Sequence, residues 1–536
     1  MNNFLAVIDR RFWRDERAKD ALIITGCALL NLFLTLFLYP KFAYIGTDGV
    51  SYALMAKSLA EGSGLSVFHQ PHTFYSPGLS FAIVPFYFVL GNIELAAITT
   101  VIALGLLTLP LLYYGMHFFV ARHVAGIATL FLAVNATVVW KNMGPVAQPL
   151  AAFLLVLLFF FLTKYIEFDK QRHKVFAFSF LLGLIAGALY LTRPEYIVLI
   201  FPLAVFLFLI NRTTVTFKRN IAIIFVAILG FVLCATPYIV YLHAYTGQWT
   251  FAGRLQQGTL LVQGLSTTGE GAQSITSGTP NNSMTPFLKS IFAPKFLKVY
   301  LSNLYDIEGY LLRIFGILGF SFFGIGLWKM IRERRFAALG VLTVPTTMLF
   351  ALAVGSDGDF GYIEPYVFIF VFFIGIGCYE FISTLADVSL FLARKRLFVA
   401  TLIVAMSATY FAFPVFQNFF FRPADTTKPI EYQLLGEYFK DTVEHPEQQL
   451  IASRKPEIAF YAEADWVEIS ERDSPEQILE SMKAKHASYL ALDTRSLGDV
   501  VQSFVDVQQK RPMKGLEFVR EFTYGGEYVN LYRLDQ

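Results

Sequence analysis

Asp48 is the second residue of the stretch "TDGVSYALMAKSLAEGSG", in which helix-forming residues fill two to three turns before Gly62 and Gly64 supply a stop. A carboxylate at that place has two kinds of work open to it. It can cap the helix, or it can accept a proton as a general base held at a membrane surface. Farther along the same loop, His69 and His72 stand three residues apart, followed by Phe74 and Tyr75. Two imidazoles beside an acid are residue types that can ligate a metal, and they serve equally well as polar contacts of a turn-rich loop. The two aromatics suit stacking on a sugar or lining a lipid groove, as interface aromatics do. Arg193 directly precedes Pro194, where the chain must leave helical geometry, and Arg254 lies in "TGQWTFAGRLQQG". An arginine at an interface can also simply snorkel toward headgroups, and one in a loop can be solvated.

The elements that must position these residues follow from composition. The 536 residues are 55% hydrophobic, 16% aromatic and 15% charged, where a soluble chain carries roughly 25% charged residues. With repeated apolar runs near 20 residues, this is the composition of a polytopic membrane protein. A formal net charge of +3 without a basic, aromatic-interleaved stripe argues against a nucleic-acid partner. Cys27, Cys234 and Cys378 each sit in an apolar run and read as small buried hydrophobes, with neither metal spacing nor a disulfide framework. The mixed basic and acidic N-terminus, 1–20, leads into an apolar run at 21–39. That run is too long for a signal-peptide core and lacks a small-x-small cleavage site, so it is expected to be an uncleaved signal anchor.

Topology follows from placing the Lys/Arg-rich short loops in the cytoplasm. The apolar segment 79–91 has 13 residues. It reaches roughly 20 Å as a helix, against a hydrocarbon core of about 30 Å. Read as an interfacial or re-entrant helix, it lets every basic cluster fall on one side. About eleven spans result, at 21–40, 94–118, 124–140, 149–164, 175–192, 196–211, 220–242, 309–330, 336–354, 364–388 and 397–416. External loops at 41–93 and 243–308 then carry most of the residues able to do chemistry. The expected fold class is a polytopic α-helical membrane protein with a C-terminal extracytoplasmic α/β domain. Residues 21–420 form the membrane part and 421–536 the soluble part. In the latter, "QLIASR", "AFYAEADWVEI", "ASYLALD", "FVREFTY" and "YVNLYRL" read as strands. "SPEQILESMKAKH", with Ser474 as N-cap, reads as a helix.

"TDGVSYALMAKSLAEGSGLS", followed by "YSPGLSFAIVPFYFVLG", resembles the first periplasmic loop of GT-C glycosyltransferases that use polyprenyl-phosphate sugars. That branch includes protein O-mannosyltransferases and lipid A aminoarabinose transferases. The matching positions are Asp48, Tyr52, Ala56, Gly62, Gly64 and the turn from Tyr75 to Gly78. "GLIAGALYLTRPEYIVLIFPLAVFL" is similar to the family's span-turn-span with an arginine-proline turn. "IASRKPEIAFYAEA", "ASYLALDT" and "YVNLYRL" are similar to its extracytoplasmic domain. The likeness runs in order over nearly the whole chain.

The resemblance implies transfer of a sugar from a polyprenyl-phosphate donor to an extracytoplasmic acceptor, by single displacement with inversion. Asp48 is then the implied base, and Arg193 and Arg254 are the candidates for holding the donor phosphate. Tyr52, His69, His72, Tyr75 and Gln148 are the implied substrate contacts. Gln148 stands where many members carry an acid. It can hydrogen-bond a sugar but cannot act as a base, which leaves Asp48 alone, Asp48 with an external acid (Asp306, Glu308, Asp357 or Asp359), or loss of catalysis. No cofactor is expected to be required and no metal site is assigned, with a divalent metal left open. The expected partners are the lipid-phosphate sugar, a glycan, lipid or protein acceptor, and membrane lipids, in the plasma (inner) membrane of a prokaryote. The alternatives are a catalytically silent assembly partner and a transporter or flippase for a lipid-linked sugar. Span interiors almost free of charge disfavour transport.

Overall fold

A computed structural model describes residues 16–167, 174–253, 296–352, 363–388, 395–421, 428–469, 475–497 and 515–535. A bilayer leaves spanning backbone no choice but internal hydrogen bonding, and the apolar runs fold accordingly. Helix α1 (Glu16–Phe42) is followed by α2 (Thr47–Ala60), a two-strand hairpin of β1 (Ser66–Val67) and β2 (Gln70–Pro71), and the short α3 (Gly78–Leu90). Then come α4 (Ile93–His117), α5 (Arg122–Val134), α6 (Ala136–Lys141), α7 (Ala147–Glu167) and α8 (Lys174–Thr192). A 3-10 turn (Pro194–Leu199) leads into α9 (Ile200–Asn211) and α10 (Phe217–Thr246). The bundle is completed by α11 (Phe296–Arg332), α12 (Phe336–Leu352), a 3-10 turn (Glu364–Tyr366), α13 (Val367–Val388) and α14 (Arg396–Phe421).

Among the described residues, nine helices are long and apolar enough to cross a membrane, and three apolar helices are shorter. The segment expected to span at 124–140 is broken after Val134. Asn135 leaves helical geometry, and its side chain accepts from the backbone of Thr137 and Val138 to restart the chain as α6. The carbonyl of Ala133, near this break, takes a hydrogen bond from the buried Asn31 of α1 at 2.7 Å, so that this carbonyl is not left stranded. Helix α11 is interrupted at Gly316, whose φ of 59° no side-chain-bearing residue adopts readily. Helices α8 and α10 approach so closely that a Cβ at Gly183 or Gly230 would strike the other helix's backbone. Small residues at such a contact replace the hydrophobic drive that lipid removes, and this packing fixes the end of α8 where Arg193 follows.

Beyond the bundle, α15 (Ile430–Thr442), β3 (Leu450–Ser453), α16 (Pro456–Ala462), β4 (Asp465–Glu468), α17 (Pro475–Lys485), β5 (Tyr489–Asp493), β6 (Leu516–Tyr524) and β7 (Glu527–Leu534) build a five-stranded sheet. Its order is β4-β3-β5-β7-β6, with β3 parallel to β4 and β5, and β7 antiparallel to β5 and β6. The period of two in each strand sorts the faces. Ile451, Ala491 and Leu531 pack under α15 and α16. Ala452, Leu490 and Tyr532 pack with Ile478 and Met482 of α17. The stretch read as one strand, "AFYAEADWVEI", is instead the end of α16 followed by β4. Pro456 at the helix start and Glu457 in its first turn decide for helix there. Ser474 lies outside the described residues.

Candidate active site at the membrane surface

Asp48 sits in the first turn of α2, but it does not cap the helix. The N-cap is Gly46, in extended geometry and with no side-chain cap hydrogen bond. The Asp48 carboxylate is exposed, and its Oδ1 accepts from Tyr75 Oη at 2.6 Å. An acid in a first turn is favourably placed for the helix dipole. Two contacts fix the turn itself. Thr47 Oγ1 donates to Glu457 Oε1 of α16 at 3.0 Å, tying the turn to the C-terminal sheet region. Gly49 packs so tightly on the loop before α7 that a Cβ there would stand 2.8 Å from Pro145 Cγ.

Tyr75 is held from behind. His72 Nε2 accepts the Tyr75 backbone N–H at 3.1 Å, and the two rings stack with centroids 5.6 Å apart. Burial pushes His72 down to about 4, which agrees with its acceptor role, since a protonated imidazole has no acceptor nitrogen. The buried Tyr52 ring lies 5.4 Å from Tyr75. The other end of the turn reaches α8: a Cβ at Gly78 would stand 2.7 Å from the Leu191 carbonyl oxygen and 2.8 Å from Thr192 Cα. The four residues from Tyr75 to Gly78 therefore bridge Asp48 to the last turn of α8, directly before Arg193.

Arg193 N-caps the 3-10 turn with extended backbone, its N–H donating to the Leu189 carbonyl at 2.9 Å. Its side chain is buried, and Nε pairs with Glu195 Oε1 at 2.7 Å. A buried guanidinium needs such compensation, and the sequence reading had not assigned Glu195.

His69 goes elsewhere. It and Phe68 form the hairpin tip with φ of 59° and 48°. Nδ1 of His69 lies 2.8 Å from Asp465 Oδ1, and Phe68 packs on Trp466. His69 and His72 thus diverge, and among the described residues no group of three or more His, Cys, Asp or Glu could hold a metal ion. Arg254 lies outside the described residues. The chain just before it is anchored at the site, with Phe251 O accepting from Tyr190 Oη at 2.7 Å and Gly253 packed on the Thr73 backbone. Gln148 lines a small cavity together with Lys141, Asn142 and Glu364. Lys141 Nζ and Glu364 Oε2 are 3.0 Å apart, and Tyr310 Oη donates to Glu364 Oε1 at 2.9 Å. Sequence reasoning named neither member of that pair. Of the external acids it did name, Asp306 and Glu308 are exposed on α11, and Asp357 and Asp359 lie outside the described residues.

Residues 71–241 match the family model described as dolichyl-phosphate-mannose-protein mannosyltransferase. No curated protein sequence matches the chain. Among solved structures, ArnT from Cupriavidus metallidurans bound to undecaprenyl phosphate aligns at a TM-score of 0.61 and 11% identity, covering 95% of this chain and 97% of that one. The archaeal oligosaccharyltransferase AglB from Archaeoglobus fulgidus, in complex with an inhibitory peptide and a dolichol-phosphate, aligns at 0.59 and 11% identity, covering 96% and 74%. The chain has the GT-C fold. It is a polytopic membrane protein with a C-terminal sheet region. At this level of identity the GT-C likeness fixes architecture, and the chemistry must be argued from the side chains above.

Proposed function

We propose that this GT-C protein is an integral-membrane glycosyltransferase that moves a sugar from a polyprenyl-phosphate donor to an extracytoplasmic acceptor. One observation carries the reading. The turn from Tyr75 to Gly78 grips the exposed carboxylate of Asp48 at one end and abuts the arginine turn of Arg193 at the other. The reaction needs those two groups on opposite sides of an anomeric carbon. Asp48 takes the proton of the acceptor as the bond from acceptor to C1 forms. The bond from C1 to the phosphate oxygen breaks, and the leaving group departs as a phosphomonoester carrying one more negative charge. Arg193, already oriented by Glu195, stabilises that charge more in the transition state than in the bound donor. A single displacement of this kind inverts the anomeric centre. The family model matched by residues 71–241 and the lipid phosphates bound by ArnT and AglB support a lipid-phosphate donor. Function in a prokaryotic plasma membrane, with the site facing away from the cytoplasm, completes the proposal.

Native mass spectrometry of the detergent-purified protein, wild type beside Arg193→Ala, tests it. A polyprenyl-phosphate sugar retained by the wild type and depleted in the variant is expected. Bulk phospholipid alone on the wild type, even after addition of polyprenyl-phosphate hexose and aminosugar donors, would overturn the reading.

A further inference from the structure

The cavity beside Gln148 contains an arrangement that neither the family resemblance nor the proposed reaction has used. Lys141 ends α6 and Glu364 opens the turn before α13, 223 residues later in the chain, yet they meet at 3.0 Å. The Glu364 side chain is 10% exposed and that of Lys141 25%. Charges this far removed from water at the ends of apolar helices are expensive to keep, and in membrane proteins they are candidates for a functional site. This pair does not simply close a gap between helices: both members, with Gln148, line the cavity wall. Most of the remaining lining is apolar, including Val138 and Phe368.

The cavity is also joined to the reacting groups. The loop that leads into α7, three residues before Gln148, packs through Pro145 on Gly49, the neighbour of Asp48. The turn from Glu364 to Tyr366 packs on the arginine turn, with the Tyr196 and Tyr366 rings 6.4 Å apart. A sugar ring has hydroxyls on its edge and C–H groups on its faces. A carboxylate that accepts, a carboxamide that both accepts and donates, an ammonium that donates and an apolar wall together match both surfaces.

We propose that Glu364, held in place by Lys141 and Tyr310, is the residue that recognises hydroxyls of the donor's sugar, with Gln148 as its neighbour on the same wall. The assignment rests on the lipid-phosphate reading of the site and adds to it a specificity residue. It also accounts for Gln148 without loss of catalysis, since the second carboxylate of the site comes from α13's entry turn rather than from α7. A site built to accept from a substrate hydroxyl discriminates strongly against a ligand lacking it, because its buried polar groups are then left unpaired.

The test compares affinities of the full-length protein in detergent for undecaprenyl phosphate and for undecaprenyl phosphate carrying mannose, glucose, galactose or an aminosugar. Wild type is expected to prefer one sugar-bearing lipid over the bare lipid. Glu364→Gln should weaken that sugar-bearing lipid by about 10-fold or more while leaving bare undecaprenyl phosphate within about 2-fold. The double variant Lys141→Gln/Glu364→Gln removes both charges of the pair together, keeps the test open if the single variant fails to fold, and should show the same selective loss. Restoration of sugar binding in the double variant would make the pair a structural tie and overturn the proposal. Equal affinity of wild type for bare and sugar-bearing lipids, or a Glu364→Gln variant that binds both like wild type, would overturn it while the lipid-phosphate reading stands. Wild type that binds neither kind of lipid would remove that reading and this one together.

Discussion

Two clusters of charge stand at opposite ends of the helix bundle and are built from the same kinds of residue. At one end, Asp20 of α1 accepts from Tyr113 of α4 and from Arg122 of α5, and Arg122 also pairs with Glu16. At the other, Glu364 accepts from Tyr310 and pairs with Lys141. Each is a carboxylate held by a tyrosine and a cation from different helices. The first ties α1, α4 and α5 together. The second lines a cavity that also holds Gln148 and adjoins the loops of Asp48 and Arg193. Similar polar chemistry therefore has a structural reading in one place and, through the cavity it lines, a binding reading in the other.

Substitutions at the two ends should separate along the same line. The largest effect on stability is expected from Arg122→Ala, which leaves the buried Asp20 without its cation. Breaking one side of such a pair costs about 3–5 kcal/mol. The detergent-solubilised variant should melt well below wild type, with donor affinity of the folded fraction unchanged; an unaltered melting temperature would show that the cluster ties nothing. Tyr75→Phe comes next and acts on catalysis. Removing a hydrogen bond to a charged group costs about 1.5–3 kcal/mol, so turnover should fall by about 10- to 100-fold with donor binding intact. If donor affinity falls by as much as turnover, Tyr75 acts on binding rather than on Asp48.

His72 gives a smaller, pH-dependent effect. Its pKa is pushed from 6.5 down to about 4, so the unfolded chain binds its proton at a higher pH than the fold does. The stability it contributes is complete above pH 6.5 and is lost as the pH falls through about 4. The melting temperature of wild type should decline across that window, and His72→Gln should decline less; parallel curves would remove His72 as the cause. The smallest effect is expected at the hairpin tip. The His69–Asp465 pair is largely exposed on the histidine side, and exposed pairs contribute about 0–1 kcal/mol. His69→Ala should leave turnover and melting nearly unchanged, and a large loss of turnover would bring the hairpin tip back into the site.

How much of this was legible in the sequence depends on how far apart the deciding residues lie. The membrane class and the apolar helices were legible because a bilayer demands long apolar runs and satisfied backbone, both local properties. Helix α2 and its stop at Gly62 were legible for the same reason, since helix formers and two glycines at φ of 79° are local signals. The cap was not: Gly46 and Asp48 are two residues apart, within the margin by which a helix end can be placed from sequence. Helix α16 was hidden by an alternation of apolar residues that suited a strand, although Pro456 carried the contrary signal.

The candidate site was legible where its residues shared one loop, as Asp48, Tyr52, His72 and Tyr75 do. It was not legible where packing of distant helices made it. The meeting of Lys141 with Glu364, and of Thr47 with Glu457, follows from the bundle and from the seating of the sheet on it. The separation of His69 from His72 is a third case, because a partner in β4 decides it.

The central claim is that Asp48 is the base of a lipid-phosphate sugar transferase. It is tested most directly by reconstituting wild type and Asp48→Asn in liposomes with the sugar-bearing lipid that wild type retains, adding a cell-envelope extract as acceptor, and following release of polyprenyl phosphate. The account predicts that Asp48→Asn still binds the donor and loses turnover by about 100-fold or more. Turnover at the wild-type rate in Asp48→Asn would contradict it.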